Sequence, residues 1–386
     1  MRITLLCSDL RFESIQRIVP FLADELSRKE DFVVDLALLH GEGEFLSLHS
    51  SAVSVVSLDN PLHALRSGIP LLRLAHYFQK AKPDVVLSFG YTANCLAAMG
   101  KQLFHFFFRL IVSEPNMLEL RKAEKSKFQR WRRAIPARFL YRNAELCVCA
   151  SRGIARGLMA LRVVPRRKIR VIYNPVDGPW VTARIAEPVK HPWFQTSEEN
   201  KPPVIFCAGD PVHLKGMNVL LRAFSLLRDE MNFPARLMIV AEEGEDRKRL
   251  ETLAEVMKLR DDICFLERGA TSAYMAKAAL MVLMSSHENF PSLLAEALAC
   301  GVNVISAGNR QGPREILEDG KWGRLVPENN VDALAAALRE TLESPMAPEI
   351  LKKRAADFSM RRSFEEYCRA IQYVLNPHDE RTSSWA

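Results

Sequence analysis

Two glutamates, Glu288 and Glu296, are the residues of this chain best placed to do chemistry; they lie in Ser286-His-Glu-Asn-Phe-Pro-Ser-Leu-Leu-Ala-Glu-Ala-Leu-Ala-Cys-Gly301. The pattern predicts a strand ending near Ser285, a short loop carrying Glu288, and a helix starting near Pro291 or Ser292, because proline suits a first helical turn. Backbone N–H groups at Ser292 to Leu294 then lack intrahelical acceptors and form an anion site suited to a phosphate. Two carboxylates beside such a site can accept hydrogen bonds from the hydroxyls of a sugar and a ribose. The same residues also fit an exposed loop acid and a solvated helix position, and spacing alone leaves both readings open.

A second candidate feature is basic. Residues 121–170 hold 16 Lys or Arg against Glu124 and Glu145, a local balance of +14 in a chain whose net charge is +7, so the rest is mildly acidic. Within Glu119–Arg142, Phe128, Trp131, Ile135 and Phe139 recur at helical spacing, surrounded by cations that include Lys127, Arg130, Arg132 and Arg133. Pro136 interrupts or kinks that helix. Such a helix can lie on an anionic membrane surface, with Lys127, Arg130, Trp131, Arg132 and Arg133 as contacts. It also fits a core helix with a solvated basic face. Nucleic acid is not expected as a partner, since no recognised module or stacking platform accompanies the charge. Smaller candidates are Asn94, after a strand end, as a cleft-lining residue or a helix cap, and Glu114 and Asn116, after another strand, on the acceptor side. His105, among Phe106, Phe107 and Phe108, is expected to be packed.

The elements that must position these residues are strands and helices in alternation. In the C-terminal half, Val204–Ala208, Leu237–Ala241, Ile263–Leu266, Met281–Met284 and Val302–Ala307 are short apolar runs separated by helical patterns. In the N-terminal half, Ile3–Cys7, Val33–Leu39, Val85–Phe89, Leu110–Ser113 and Leu146–Ala150 read as strands, and Ile15–Leu26 and Leu71–Phe78 as helices. Buried strands alternating with helices predict parallel sheets covered on both faces. Six prolines and two tryptophans without sustained periodicity mark residues 174–203 as a linker. The expected organisation is therefore a first Rossmann-like domain over 1–173, the linker over 174–203, and a second Rossmann-like domain over 204–360. A closing helix within 361–386 is expected to cross back to the first domain. Two such domains face one another across a cleft at the carboxyl ends of their strands, where ligands sit in open α/β sheets.

Composition narrows the class. With 386 residues, 48% hydrophobic and 26% charged, the chain is an ordinary globular protein of about two domains rather than a disordered or fibrous one. No apolar run reaches the ~18 residues of a membrane-spanning helix. The N-terminus reads as a first strand rather than a secretory signal. Eight scattered cysteines without a CxxC pair read as reduced core residues of a cytosolic protein, not as a zinc site or a disulfide framework.

The Glu288–Glu296 stretch resembles the E-x7-E signature of retaining GT-B glycosyltransferases of family 4. The resemblance continues in Ala208–Phe224, similar to the family's Lys-Gly loop and helix, and in Val-Ile-Tyr-Asn-Pro-Val-Asp ending at Asp177, similar to its interdomain segment. Gly308–Leu317 and Gly320–Pro327 are similar to the segments that follow the signature. The resemblance implies an α/β chain with the GT-B fold, two doubly wound domains, and a nucleotide-diphosphate sugar held mainly by the C-terminal domain. It places Glu288 at the donor sugar, Lys215 at the diphosphate and Glu296 at the ribose hydroxyls. The segment Phe290, Pro291, Ser292, Leu293 and Leu294 supplies backbone N–H donors to the leaving diphosphate (Pro291 itself has none to give), with Asn289, Gly209 and Asp210 nearby. It further implies retention, no metal or other cofactor, a UDP-sugar donor, and a glycan or polyprenyl-diphosphate-linked acceptor at the inner membrane face. Lipopolysaccharide, O-antigen and capsule precursors are such acceptors.

Three positions depart from that family. Asp210 stands where an arginine is usual, five residues before Lys215, and His213, Arg310 and Arg314 are the candidates to offset its charge. The loop Ser8–Ser14 has no glycine, and Pro115 replaces a common histidine. These departures motivate an alternative, a degenerate GT-B protein that acts as a binding or scaffold partner in glycan assembly.

Overall fold

The computed structural model describes residues 1–10, 14–41, 52–58, 69–114, 138–176, 182–183, 185–195, 201–208, 214–267, 271–284, 290–308 and 311–377. Of residues 14–17, 69, 214 and 215 it describes the backbone alone. The chain divides into two units, Met1–Asn174 with Met360–Ala386, and Pro175–Ser359.

The first unit is built on seven strands: β1 (Arg2–Cys7), β2 (Val33–Leu38), β3 (Ser54–Ser57), β4 (Val85–Phe89), β5 (Arg109–Glu114), β6 (Leu146–Cys149) and β7 (Ile169–Val171). Their order is β3-β2-β1-β4-β5-β6-β7, and every pair is parallel. Alternate residues of the strands supply two cores. Leu6, Val86, Leu110, Val112 and Cys147 face one layer of helices. Ile3, Leu5, Leu87, Ile111 and Val148 face the other. This two-sided burial is why the strands are continuously apolar rather than alternating with polar residues.

The C-terminal helix Met360–Leu375 completes the second of those cores with Tyr367, Ala370, Ile371 and Val374. Ser363 Oγ donates to the carbonyl of Tyr173 at 2.8 Å. On the other unit, the Val176 N–H donates to the carbonyl of Phe358 at 3.0 Å. The first division between the units falls between Asn174 and Pro175, inside the segment read from sequence as the interdomain linker.

The second unit has six parallel strands: β8 (Val204–Ala208), β9 (Arg236–Val240), β10 (Ile263–Leu266), β11 (Leu280–Leu283), β12 (Asn303–Ala307) and β13 (Arg324–Val326). Their order is β10-β9-β8-β11-β12-β13. Strand order reverses at the β8/β11 pair here and at the β1/β4 pair in the first unit. At such a reversal the flanking connections leave the sheet to opposite faces, opening a crevice at the carboxyl ends of the two strands. The short strands β3, β7 and β13 escape the sequence reading because they are largely unburied and so lack the continuous apolar run that marks a central strand.

Among the described residues no helix is long and apolar enough to cross a membrane. None of the eight cysteines is in a disulfide; four are buried and four partly buried.

Candidate functional site

The second unit's reversal point brings the start of the helix that carries Lys215 to the end of β11. β8 runs to Ala208, and the chain resumes in the helix Leu214–Ser225, which carries Lys215 in its first turn. β11, the hydrogen-bonded neighbour of β8, runs to Leu283, and the chain resumes at Phe290 and the helix Ser292–Cys300. Both connections leave the same edge of the sheet, so the start of the helix that carries Lys215 and the end of β11 flank one crevice mouth.

Gly216 makes that proximity close. A β-carbon on Gly216 would stand 2.6 Å from the carbonyl oxygen of Met284 and 3.1 Å from its Cβ. The first turn of the Lys215 helix therefore rests directly on the end of β11. Behind it, Cys207 Sγ and Met217 Sδ lie 3.7 Å apart in the core.

The helix Ser292–Cys300 starts from Pro291, in an extended conformation and without a side-chain cap. Its early N–H groups are thus left for a ligand or water rather than for a serine or aspartate oxygen. Leu294 is an exception to the expected row of open donors, since its N–H reaches the carbonyl of Pro291 at 3.1 Å. Leu294, Ala295, Ala297 and Leu298 are buried and fix the helix against the sheet, while Ser292, Leu293 and Glu296 stay partly exposed. The Cys300 thiol, one turn beyond Glu296, is pushed up to about 12, first by burial and then by the Glu296 charge, against the pull of Lys352. Gly301 ends the helix with a φ of 76°, where a β-carbon would meet Pro348 at 2.7 Å.

Phe290 is anchored from behind. Its ring meets that of the buried Phe358 edge-on, with centroids 5.6 Å apart. The Arg354 guanidinium lies 4.8 Å from the Phe358 ring centre. Arg354 also donates from Nε to the carbonyl of Ile316 and from Nη2 to that of Glu315, each at 2.9 Å. Its remaining charge is shared by Glu318 and Asp357. The loop before the helix and the C-terminal end of the helix Gln311–Ile316 are thus tied to one buried arginine. Sequence reasoning missed Arg354 and Phe358, because neither lies in the motif segments and both act through backbone carbonyls and packing. Arg314, a candidate to offset Asp210, is instead engaged with Asp319 at 2.7 Å.

The first unit corrects two expectations. Asn94 and Glu114 do not present themselves to a ligand; they are 0% and 1% exposed. Asn94 Oδ1 accepts from Ser88 Oγ at 2.6 Å, and its Nδ2 donates to the carbonyl of Ser113 at 2.9 Å and to Tyr141 Oη at 3.2 Å. Tyr141 in turn donates to Glu114 Oε2 at 2.8 Å. Burial, and then the Glu114 charge, push the Tyr141 phenol far above its usual range, so it stays a donor. This is a satisfied interior network that locks helix Tyr91–Leu103 to β4 and β5. Asn94 is not the cap of that helix either; Gly90 occupies that place with a φ of 86°. His105 is exposed in a left-handed turn with a φ of 54°, not packed among the phenylalanines.

Several candidates lie outside the described residues: Glu288, Asn289, Gly209, Asp210, His213, Arg310, Pro115, Asn116, and Lys127, Arg130, Trp131, Arg132 and Arg133 of the basic segment. Among the described residues, no three His, Cys, Asp or Glu side chains are grouped to hold a metal.

Comparison with known proteins bears on both units. Residues 190–358 match the family model described as "Glycosyl transferases group 1", and residues 15–178 match that described as "Glycosyltransferase Family 4". The chain is 23% identical over 348 residues to the Campylobacter jejuni N-acetylgalactosamine-N,N'-diacetylbacillosaminyl-diphospho-undecaprenol 4-alpha-N-acetylgalactosaminyltransferase, covering 88% of this chain and 90% of that one. It is 26% identical over 289 residues to the lipopolysaccharide core biosynthesis glycosyltransferase LpsE of Rhizobium meliloti, covering 74% of this chain and 72% of that one. Among solved structures, Anabaena Alr3699/HepE in complex with UDP superposes with a TM-score of 0.72 at 18% identity, covering 96% of this chain and all of that one. That structural likeness establishes the two-unit GT-B architecture.

Proposed function

The chain belongs to glycosyltransferase family 4, and from that premise we propose that it moves a sugar, with retention, from a nucleotide-diphosphate donor to a lipid-linked or cell-surface glycan. A UDP-sugar is the favoured donor. Lipopolysaccharide, O-antigen and capsule precursors are the favoured acceptors; the Campylobacter relative is named for a diphospho-undecaprenol-linked substrate and the Rhizobium relative for lipopolysaccharide core biosynthesis. The reaction breaks the bond from the anomeric carbon to the donor phosphate and forms one from that carbon to an acceptor hydroxyl. The hydroxyl proton passes to a donor phosphate oxygen, and no metal is required.

The observation that carries this reading is the seating of Gly216 on Met284. It brings the Lys215 turn against the strand that leads to Glu288 and to the helix bearing Glu296. In this assignment Lys215 neutralises the diphosphate as a point charge. Glu296 accepts from the ribose hydroxyls, and Glu288 faces the donor sugar. The uncapped start of the helix Ser292–Cys300 stabilises charge as it grows on the leaving diphosphate, because fixed donors need no reorganisation during the reaction. The basic segment containing Lys127, Arg130, Trp131, Arg132 and Arg133 contacts the anionic membrane where a lipid-linked acceptor resides.

Thermal unfolding against UDP, GDP, ADP and their sugars tests the donor site. A ligand at about 100 times its dissociation constant adds about 2.7 kcal/mol of stability when it binds only the folded state. A shift with UDP that Glu296→Ala abolishes is the expected result. Asp210 and the glycine-free Ser8–Ser14 loop favour a second reading, a degenerate GT-B partner protein. Under that reading no nucleotide shifts the transition, and sugar transfer is absent with every donor.

A further inference from the structure

The opposite edge of the first unit's sheet carries a feature that sugar transfer does not use. Because β5, β6 and β7 are parallel neighbours, the three connections that lead into them enter at one edge, the amino edge. Residues 138–145 precede β6 and residues 161–168 precede β7. Together they enclose a hollow of about 700 Å³ lined by Arg138, Arg142, Arg162, Arg166, Arg167 and Lys168. Its floor includes the buried Val163 and Val164. Among the described residues, no carboxylate lines it.

The hollow is held open by its own backbone. Lys168 Nζ donates to the carbonyls of Arg142 and Ala144 at 2.8 and 2.7 Å, which clamps the two connections together. With Lys168 so engaged, the five arginines supply the free charge. None of them is paired with an acid among the described residues, and all five are exposed. Arg162 is presented by a left-handed turn with a φ of 52°. Glu145, an acid in the connection before β6, is already bound by Lys101 at 2.8 Å and by the Leu110 N–H at 2.6 Å, with Arg109 at 3.9 Å. Five unpaired guanidinium groups in one concavity repel one another, a cost that an anion relieves.

We infer that this hollow is a binding site for a phosphate-bearing group, separate from the donor site. Guanidinium forks match phosphate oxygens in pairs, which makes phosphate the anion best suited to a cluster of arginines. The phosphate can come from a soluble diphosphate or from a lipid headgroup. The neighbourhood bears on the second source. Phe139 is 64% exposed beside Arg138, and Phe107, in the connection to β5, is 99% exposed. The helix leading to Phe107 is tied to the connection that carries Arg142, since Asn143 donates to Gln102 at 2.9 Å. Exposed aromatic rings beside a cationic pocket suit a membrane interface.

The test uses the full chain and the triple variant Arg162→Gln/Arg166→Gln/Arg167→Gln. These side chains are exposed, so an unchanged unfolding midpoint is expected and serves as the control for folding. A second control, Lys248→Gln/Arg249→Gln/Lys353→Gln, removes three exposed cations from the other unit. In one arm, inorganic pyrophosphate binding is measured by calorimetry. In the other, sedimentation is measured with vesicles of mixed phosphatidylglycerol and phosphatidylcholine. About tenfold or greater weakening of pyrophosphate binding in the first variant alone supports the site with a soluble phosphate. A comparable loss of vesicle binding, with a further loss in Phe107→Ser/Phe139→Ser, supports it with a lipid headgroup. Binding of both probes that is unchanged in the first variant, or equally weakened by the control variant, overturns the inference. So does the absence of binding to either probe at low salt.

Discussion

Gly216 rests against the backbone carbonyl of Met284 so closely that a β-carbon there would approach its oxygen to 2.6 Å. Met284 follows the end of β11, and Gly216 follows Lys215 in the first turn of a helix that leaves β8. One glycine therefore sets how closely the start of the helix that carries Lys215 approaches the end of β11. Backbone atoms on both sides leave the contact no side-chain freedom to yield.

Gly216→Ala is accordingly expected to push the helix start away from β11. The predicted cost is about 1–3 kcal/mol, in the range of overpacking a tight site. Nucleotide-induced stabilisation should fall further than stability does. Urea midpoints with and without UDP measure both effects, and an alanine variant with unaltered UDP response would remove the contact from the donor site.

Glu296→Ala and Lys215→Ala probe the site chemistry directly. Each is predicted to lower turnover by tenfold or more, the equivalent of about 1.4 kcal/mol or more in transition-state stabilisation. Helical stability should hardly change, since Glu296 is only partly buried. Acceptor-dependent release of free nucleotide is the readout, and full activity in both variants would sink the assignment.

Tyr141→Phe separates a scaffold role from a substrate role for Glu114 and Asn94. The substitution removes the hydroxyl that donates to Glu114 at 2.8 Å inside a fully buried network. A loss of about 1–3 kcal/mol in stability is expected, as for a buried polar group deprived of a partner. The KM values for donor and acceptor should stay unchanged. Chemical denaturation together with steady-state kinetics distinguishes the two roles.

Alkaline pH is predicted to weaken the fold. Burial pushes the Cys207 thiol from its ordinary 9.0 up to about 12. The folded state therefore keeps a proton that the unfolded state releases above pH 9. Stability from this group is intact below pH 9 and declines between pH 9 and about 12. At pH 10 the loss from Cys207 is about 1.4 kcal/mol, one pH unit beyond the unfolded value. Urea midpoints at pH 7.5 and 10 in wild type and Cys207→Ala check it, and the pH-dependent drop should be smaller in the variant.

The sequence by itself determined what depends on neighbouring residues. Runs such as Val85–Phe89 and Val204–Ala208 are apolar throughout because both faces of a parallel strand are buried, and they emerge as strands with the same bounds. Pro291 and the apolar spacing beyond it place the start of the helix Ser292–Cys300. The tertiary structure alone decided which distant segments meet. The reversal of strand order makes β8 and β11 neighbours and so brings the Lys215 turn to Met284, although nearly seventy residues separate them. Strand order likewise turns Asn94 and Glu114 inward to meet Tyr141, where local pattern suggested a surface role. It also gathers the arginines of two separate connections around one hollow. The physical reason is that periodicity records whether a residue faces the core or solvent, whereas adjacency between strands is set by packing and hydrogen bonding across the whole sheet.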